Sequence, residues 1–189
     1  TPHVDVQNIH DHVGDCSIEH PSADIFFVLD GSYSTKRAGW ESIIEFVQRF
    51  VKINFEHGGD MNYGLLQYSD FVEPILSFAD KEGQREIAEF IEILSQIKYH
   101  SGFSTLTGTA MRYAAETEFM SERGARENVR KIMIVVTDGR AKDIGDNKVK
   151  IVGESLRAAG DLTVVAVGVN KAVESELVEI ASSPDFVHN

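Results

Sequence analysis

Positive charge and sulfur are both scarce in this sequence. Of its 189 residues, 18 are Lys or Arg against 30 Asp or Glu, a formal charge of −12. Such a chain repels phosphate backbones and anionic membrane surfaces, which excludes nucleic acid and lipid headgroups as natural partners. It suits a basic partner, bound divalent cations, or plain solubility. The single Cys16 cannot form a disulfide within the chain. No stretch approaches ~18 uninterrupted apolar residues, so no membrane span is expected. Thr1 opens no charged-then-apolar leader, and no N-x-[ST] acceptor speaks for a compartment. Also missing are a G-x-x-x-x-G-K-[ST] phosphate loop and a G-x-S-x-G nucleophile elbow.

What is present, 42% hydrophobic residues, suffices for one core. Residues 1–23 read as an N-terminal extension: His3, His10, His12 and His20 are scattered among polar residues, Gly and Pro without an apolar period, so they are read as a polar segment rather than a metal site. From residue 24 a domain begins. The run Ile25 to Leu29 is short, β-rich and apolar on both faces, as in a buried central strand, and it ends at Asp30. Trp40, Ile43, Ile44, Val47, Phe50 and Val51 then recur at helical spacing. Met61 to Tyr68 and Phe71 to Leu76 predict a hairpin about Ser69-Asp70. Further helices are expected on the stripe from Ile87 to Ile97, from near Thr107 through Ala115, from Val149 through Ala159 with a stop at Gly160, and around Leu177 to Ala181. Lys131 to Thr137 and Leu162 to Val169 predict two more strands apolar on both faces. Buried strands alternating with helices imply an α/β fold: a doubly wound, mostly parallel sheet with one antiparallel edge strand and helices on both faces. Its site belongs at the carboxyl ends of the strands, where strand order reverses.

Two segments meet that expectation. Asp30-Gly31-Ser32-Tyr33-Ser34 follows the first strand as D-x-S-x-S, and Thr137-Asp138-Gly139 follows the Lys131 strand. Between them lies the hydroxyl-rich loop Ser101 to Gly108, from which Thr105 or Thr107 could join the group. All these donors are hard oxygens, which favour Mg²⁺, Mn²⁺ or Ca²⁺ over zinc or copper. With only two carboxylates, a bound cation stays electrophilic toward a further anionic ligand. Read singly, Asp30 and Ser32 could cap the next helix, and Thr137 to Gly139 could be an ordinary turn.

Together the segments resemble the von Willebrand factor A domain family, the integrin I-like domains, whose metal-ion-dependent adhesion site reads D-x-S-x-S, then T, then D. The resemblance spans residues 24–189. It implies a Rossmann-like fold, with Ser32, Ser34 and Thr105 as direct metal ligands and Asp30 and Asp138 acting directly or through water. Thr107 matches the second threonine of the family's T-x-T-G-x-A portion, which is not a ligand. Tyr63 to Ser69, Leu106 to Ala110 and Glu179 to Asp185 are worded like extracellular-matrix A domains of the collagen VI, matrilin and cochlin kind. That implies a secreted module of a larger multidomain matrix protein. Cys16 resembles a cysteine that in such domains pairs with one after the final helix, a partner that would lie beyond Asn189. The family continues past Phe186 to Asn189 through an edge strand and a C-terminal helix, so the domain's C-terminal end is expected outside this sequence. Residues 168–176 hold no extra helical insertion of the kind linked to collagen recognition in some integrin domains, so collagen binding would use another surface or mode.

The function so implied is capture of an acidic group on an extracellular protein, collagen among the candidates, through a divalent metal. Tyr33, Phe103, Arg140 and Lys142 are the exposed residues expected to surround the metal and contact the partner. The alternative is a matrix assembly or spacer domain that binds metal but interacts through other faces. An enzyme is not expected. A strand-end aspartate nucleophile needs a second acid two residues on, where this chain has Ser32, and apart from His100 the histidines fall outside the motif loops.

Overall fold

In the computed structural model, residues 22–80 and 87–188 are described. Cys16 and the four histidines of the extension lie outside them. The strands are β1 (Ser22–Asp30), β2 (Asp60–Tyr68), β3 (Val72–Leu76), β4 (Arg130–Thr137), β5 (Thr163–Gly168) and β6 (Val187–His188). The helices are α1 (Lys36–Glu56), α2 (Ile87–Gln96), α3 (Thr107–Tyr113), α4 (Val149–Ala159) and α5 (Glu174–Ile180). The sheet order is β3-β2-β1-β4-β5-β6. Every neighbouring pair is parallel except β2 with β3.

β1 is central because its side chains are apolar on both faces, and alternation splits them between two cores. Phe26 and Val28 join Tyr68, Met133 and Val135 under α3, α4 and α5. Phe27 and Leu29 join Leu65, Ile134 and Val136 under Trp40, Ile43 and Val47 of α1 and Phe90 and Leu94 of α2. Chain order leaves β1 for β2 on one side and returns to β4 on the other, so β1 and β4 flank the reversal of strand order. The register pairs Leu29 with Val136 and Asp30 with Tyr68, which places the ends of β1, β2 and β4 at one edge.

Two expectations are corrected. β5 is buried on one face only: Val164 and Ala166 are buried, whereas Thr163, Val165 and Val167 are half-buried. β6 is two residues long, and Val165 and Val167 pack only at the margin of the core that α1 and α2 cover. Phe71 precedes β3 and is exposed, because the turn occupies residues 69–71. α4 runs from Val149 to Ala159 as expected, and Gly160 takes a left-handed φ of 73° to terminate it.

Candidate metal centre

Asp30 ends β1 completely buried. Its Oδ1 accepts the Ser32 backbone N–H at 2.9 Å and its Oδ2 accepts the Thr137 hydroxyl at 2.7 Å. Burial pushes this carboxyl above its ordinary value; the bonds from Ser32 and Thr137 oppose that rise, and the neighbouring Asp138 adds to it. Ser32, also buried, has its hydroxyl 3.1 Å from that of Ser34. Among the described residues, Ser32 makes no side-chain cap bond at the 3-10 turn Tyr33–Thr35, so its hydroxyl does not serve as a helix cap.

At the end of β4, Gly139 takes a φ of 68° and donates its N–H to the Thr137 hydroxyl at 3.0 Å. A Cβ at Gly139 would stand 2.8 Å from the Val173 nitrogen, so the tight turn requires glycine. This turn delivers Asp138, 2% exposed, to the same edge as Asp30. Its Oδ2 lies 3.7 Å from Arg140 Nε, while its buried Oδ1 has no hydrogen-bond partner among the described residues. A buried, unpartnered carboxylate oxygen is costly, by roughly 1–3 kcal/mol or more for a charged group, and a cation would relieve that cost.

The third loop is tied to both of these. Ser32 forms an isolated parallel bridge with Gly102, Tyr33 N–H donates to Gly102 O at 2.7 Å, and Tyr99 Oη donates to Ser32 O at 2.6 Å. On the other side, Lys142 N–H donates to Thr105 O at 2.8 Å. Thr105 is 1% exposed within this junction. Thr107 points elsewhere: its Oγ1 pairs with the buried Tyr68 hydroxyl at 3.1 Å. Burial and the nearby Asp30 charge push that phenol well above its ordinary pKa, so it stays neutral.

The four residues expected around the metal, Tyr33, Phe103, Arg140 and Lys142, are all exposed. Tyr33 and Phe103 are 64% and 82% exposed and stack on each other, centroids 6.2 Å apart. The Arg140 side chain is exposed. Lys142 is engaged: its Nζ donates to Phe103 O at 2.6 Å, so it braces the aromatic loop as well as carrying charge. Sequence reasoning missed three bracing carboxylates. Asp70 accepts the N–H groups of Phe103 and Ser104, Asp143 those of Gly108 and Thr109, and Glu176 that of Ala141. Burial raises the Glu176 carboxyl as well. Each brace joins residues at least 33 apart, and no local pattern signals it.

Among the described residues, no three His, Cys, Asp or Glu side chains gather in the manner of a zinc or multi-carboxylate site. The candidate donors are instead hydroxyls plus two aspartates, a set whose chemistry fits a hard divalent cation.

Residues 24–189 match the family model of the von Willebrand factor type A domain. The chain belongs to that family. It is 31% identical over 167 residues to matrilin-1 of Gallus gallus, covering 87% of this chain and 32% of that protein. It is 32% identical over 176 residues to the collagen alpha-1(XII) chain of Notophthalmus viridescens, covering 92% of this chain and 18% of that protein. The chain thus spans about a third or less of the length of these relatives. Among solved structures, proximal thread matrix protein 1 from the mussel byssus superposes with a TM-score of 0.76 at 23% identity, over 89% of this chain and 43% of that one. That protein has also been solved with a zinc-occupied MIDAS motif, and this form superposes with a TM-score of 0.74 at 22% identity, over 90% of this chain and 44% of that one. At these identities the likeness establishes the fold, a mostly parallel six-stranded von Willebrand A sheet with one antiparallel strand.

Proposed function

We propose that this A domain captures an acidic side chain of an extracellular partner protein through a divalent cation, Mg²⁺ or else Mn²⁺ or Ca²⁺. Ser32, Ser34 and Thr105 would hold the ion directly, and Asp30 and Asp138 directly or through water. The observation that carries this reading is the pair of buried aspartates at the switch point, one bonded only to neutral donors among the described residues, the other with a bare oxygen. When bound, the ion supplies Lewis acidity at a position where three donors are neutral hydroxyls, so an incoming carboxylate is attracted rather than repelled.

The chain's own residues do the rest. Asp30 and Thr137 fix the Ser32 loop to the end of β4. The Tyr33 and Phe103 rings offer an exposed apolar shelf beside the donors, and Arg140 offers a cation to a second anionic group of the partner. Kinship with matrilin-1 and a collagen chain supports a secreted, extracellular-matrix setting within a larger multidomain protein, with collagens among the partners to try.

The test is solid-phase binding to immobilised collagens and other matrix proteins in Mg²⁺ or Mn²⁺, repeated with EDTA. Capture that EDTA abolishes and Ser32→Ala removes supports this reading. Metal binding accompanied by capture insensitive to EDTA replaces it with an assembly or spacer role exercised through other faces.

A further inference from the structure

We propose that Asp70, in the turn between β2 and β3, is a positioning residue that presets the Thr105 loop for cation binding; the inference rests on the metal-capture reading above. Asp70 hydrogen-bonds to none of the five candidate donors, yet its two carboxylate oxygens grip the loop that carries one of them. Oδ2 accepts the Phe103 N–H at 3.0 Å and Oδ1 accepts the Ser104 N–H at 2.7 Å. The preceding residue completes the grip, because Ser69 O accepts the Leu106 N–H at 3.2 Å. Two consecutive turn residues therefore hold the backbone immediately before and immediately after Thr105.

The contact is too close to be incidental. A Cβ at Gly102 would lie 2.4 Å from Asp70 Oδ2 and 2.6 Å from Ser69 Oγ, so the loop reaches the turn only because residue 102 has no side chain. From Gly102 the hold passes to the D-x-S-x-S segment through the Tyr33 N–H bond to Gly102 O at 2.7 Å. The turn itself is anchored by His100, whose Nδ1 lies 3.2 Å from Ser69 Oγ and whose Nε2 lies 2.6 Å from Glu73 Oε2 on β3. Ser69 is fully buried, so this Ser-His-Glu set cannot meet a substrate and acts as a strut. Its effect is to hold Thr105 and the Phe103 shelf in place before any cation arrives, which lowers the ordering cost of binding.

Asp70 is exposed, so its replacement should leave the fold intact. Mn²⁺ alone is titrated by calorimetry into wild type, Asp70→Ala and Asp70→Asn, with melting and amide hydrogen exchange followed in the metal-free proteins. The expected result is a Kd raised about tenfold or more in Asp70→Ala, as for losses of groups that orient metal ligands. Asp70→Asn falls between, since an amide oxygen replaces only one of the two acceptors. The metal-free melting temperature stays within a few degrees, while exchange at Phe103 and Ser104 accelerates. Equal Mn²⁺ affinity in wild type and Asp70→Ala overturns the positioning role and leaves the metal-capture reading standing. No Mn²⁺ binding by wild type overturns both, and faster exchange in the variant would then show the turn to be a brace of the loop only.

Discussion

β1 carries a fully buried aspartate near each end, and the two are treated oppositely. Asp24, at the amino end, has its own cation: Arg126 donates its backbone N–H to Oδ2 at 2.6 Å and its Nε–H to Oδ1 at 2.7 Å. The same guanidinium reaches Asp60 Oδ2 at 2.7 Å and Ala23 O at 2.9 Å. Asp30, at the carboxyl end, has neutral donors only among the described residues, with a second buried aspartate beside it. One end of the strand is a closed ion pair that fastens the sheet. The other sets two buried carboxylates side by side with only the exposed Arg140 near them among the described residues, 3.7 Å from Asp138, which is the electrostatic condition for an exchangeable cation.

The comparison breaks most readily at the closed end. Arg126→Ala strands Asp24 in the core and should cost about 3–5 kcal/mol, read as a fall in the urea midpoint. A loss below ~1 kcal/mol, the value of a surface pair, would mean that Asp24 needs no partner. At the open end the expected sign reverses. Asp30→Asn should abolish Mg²⁺ and Mn²⁺ binding yet leave the metal-free chain at least as stable, with a gain of up to roughly 2 kcal/mol. Destabilisation of the metal-free protein would show that Asp30 is structural, like Asp24.

Smaller effects sharpen the contrast. Because burial raises the Asp30 pKa, the folded state holds this proton more tightly than the unfolded chain does. The metal-free protein therefore gains stability from this group as pH falls through the raised folded value toward 3.8, and loses it as pH rises. The advantage of Asp30→Asn over wild type should thus be greatest near neutral pH and vanish in acid, as measured by denaturation at a series of pH values. Smallest is Arg140→Gln. Removing an exposed cation 3.7 Å from Asp138 should tighten Mn²⁺ binding a few-fold while weakening capture of an acidic partner. A change of the same sign in both would contradict the rim role given to Arg140.

The contrast also marks how far the sequence could be read. The strands were legible because Ile25 to Leu29 and Ile132 to Val136 are apolar on both faces, and the donors because Asp30, Ser32, Ser34 and Asp138 stand just after them. Thr105 over Thr107 followed from the family pattern, and the Tyr68 partner of Thr107 gives it a physical reason. The Arg126–Asp24 pair was invisible because its members are 102 residues apart and neither stands out locally. The same holds for Asp70, Asp143 and Glu176, which look like ordinary loop or helix carboxylates until the fold brings backbone N–H groups to them. The half-covered face of β5 escaped detection because an apolar run does not reveal how far the helices above it extend.

We hold that the carboxyl end of β1 is built to accept a divalent cation. Calorimetric titration of Mg²⁺ and Mn²⁺ into wild type and Asp138→Ala tests it most directly. Saturable one-site binding by wild type, lost in the variant, is the predicted result. No saturable heat in wild type, or equal binding by both proteins, would contradict it.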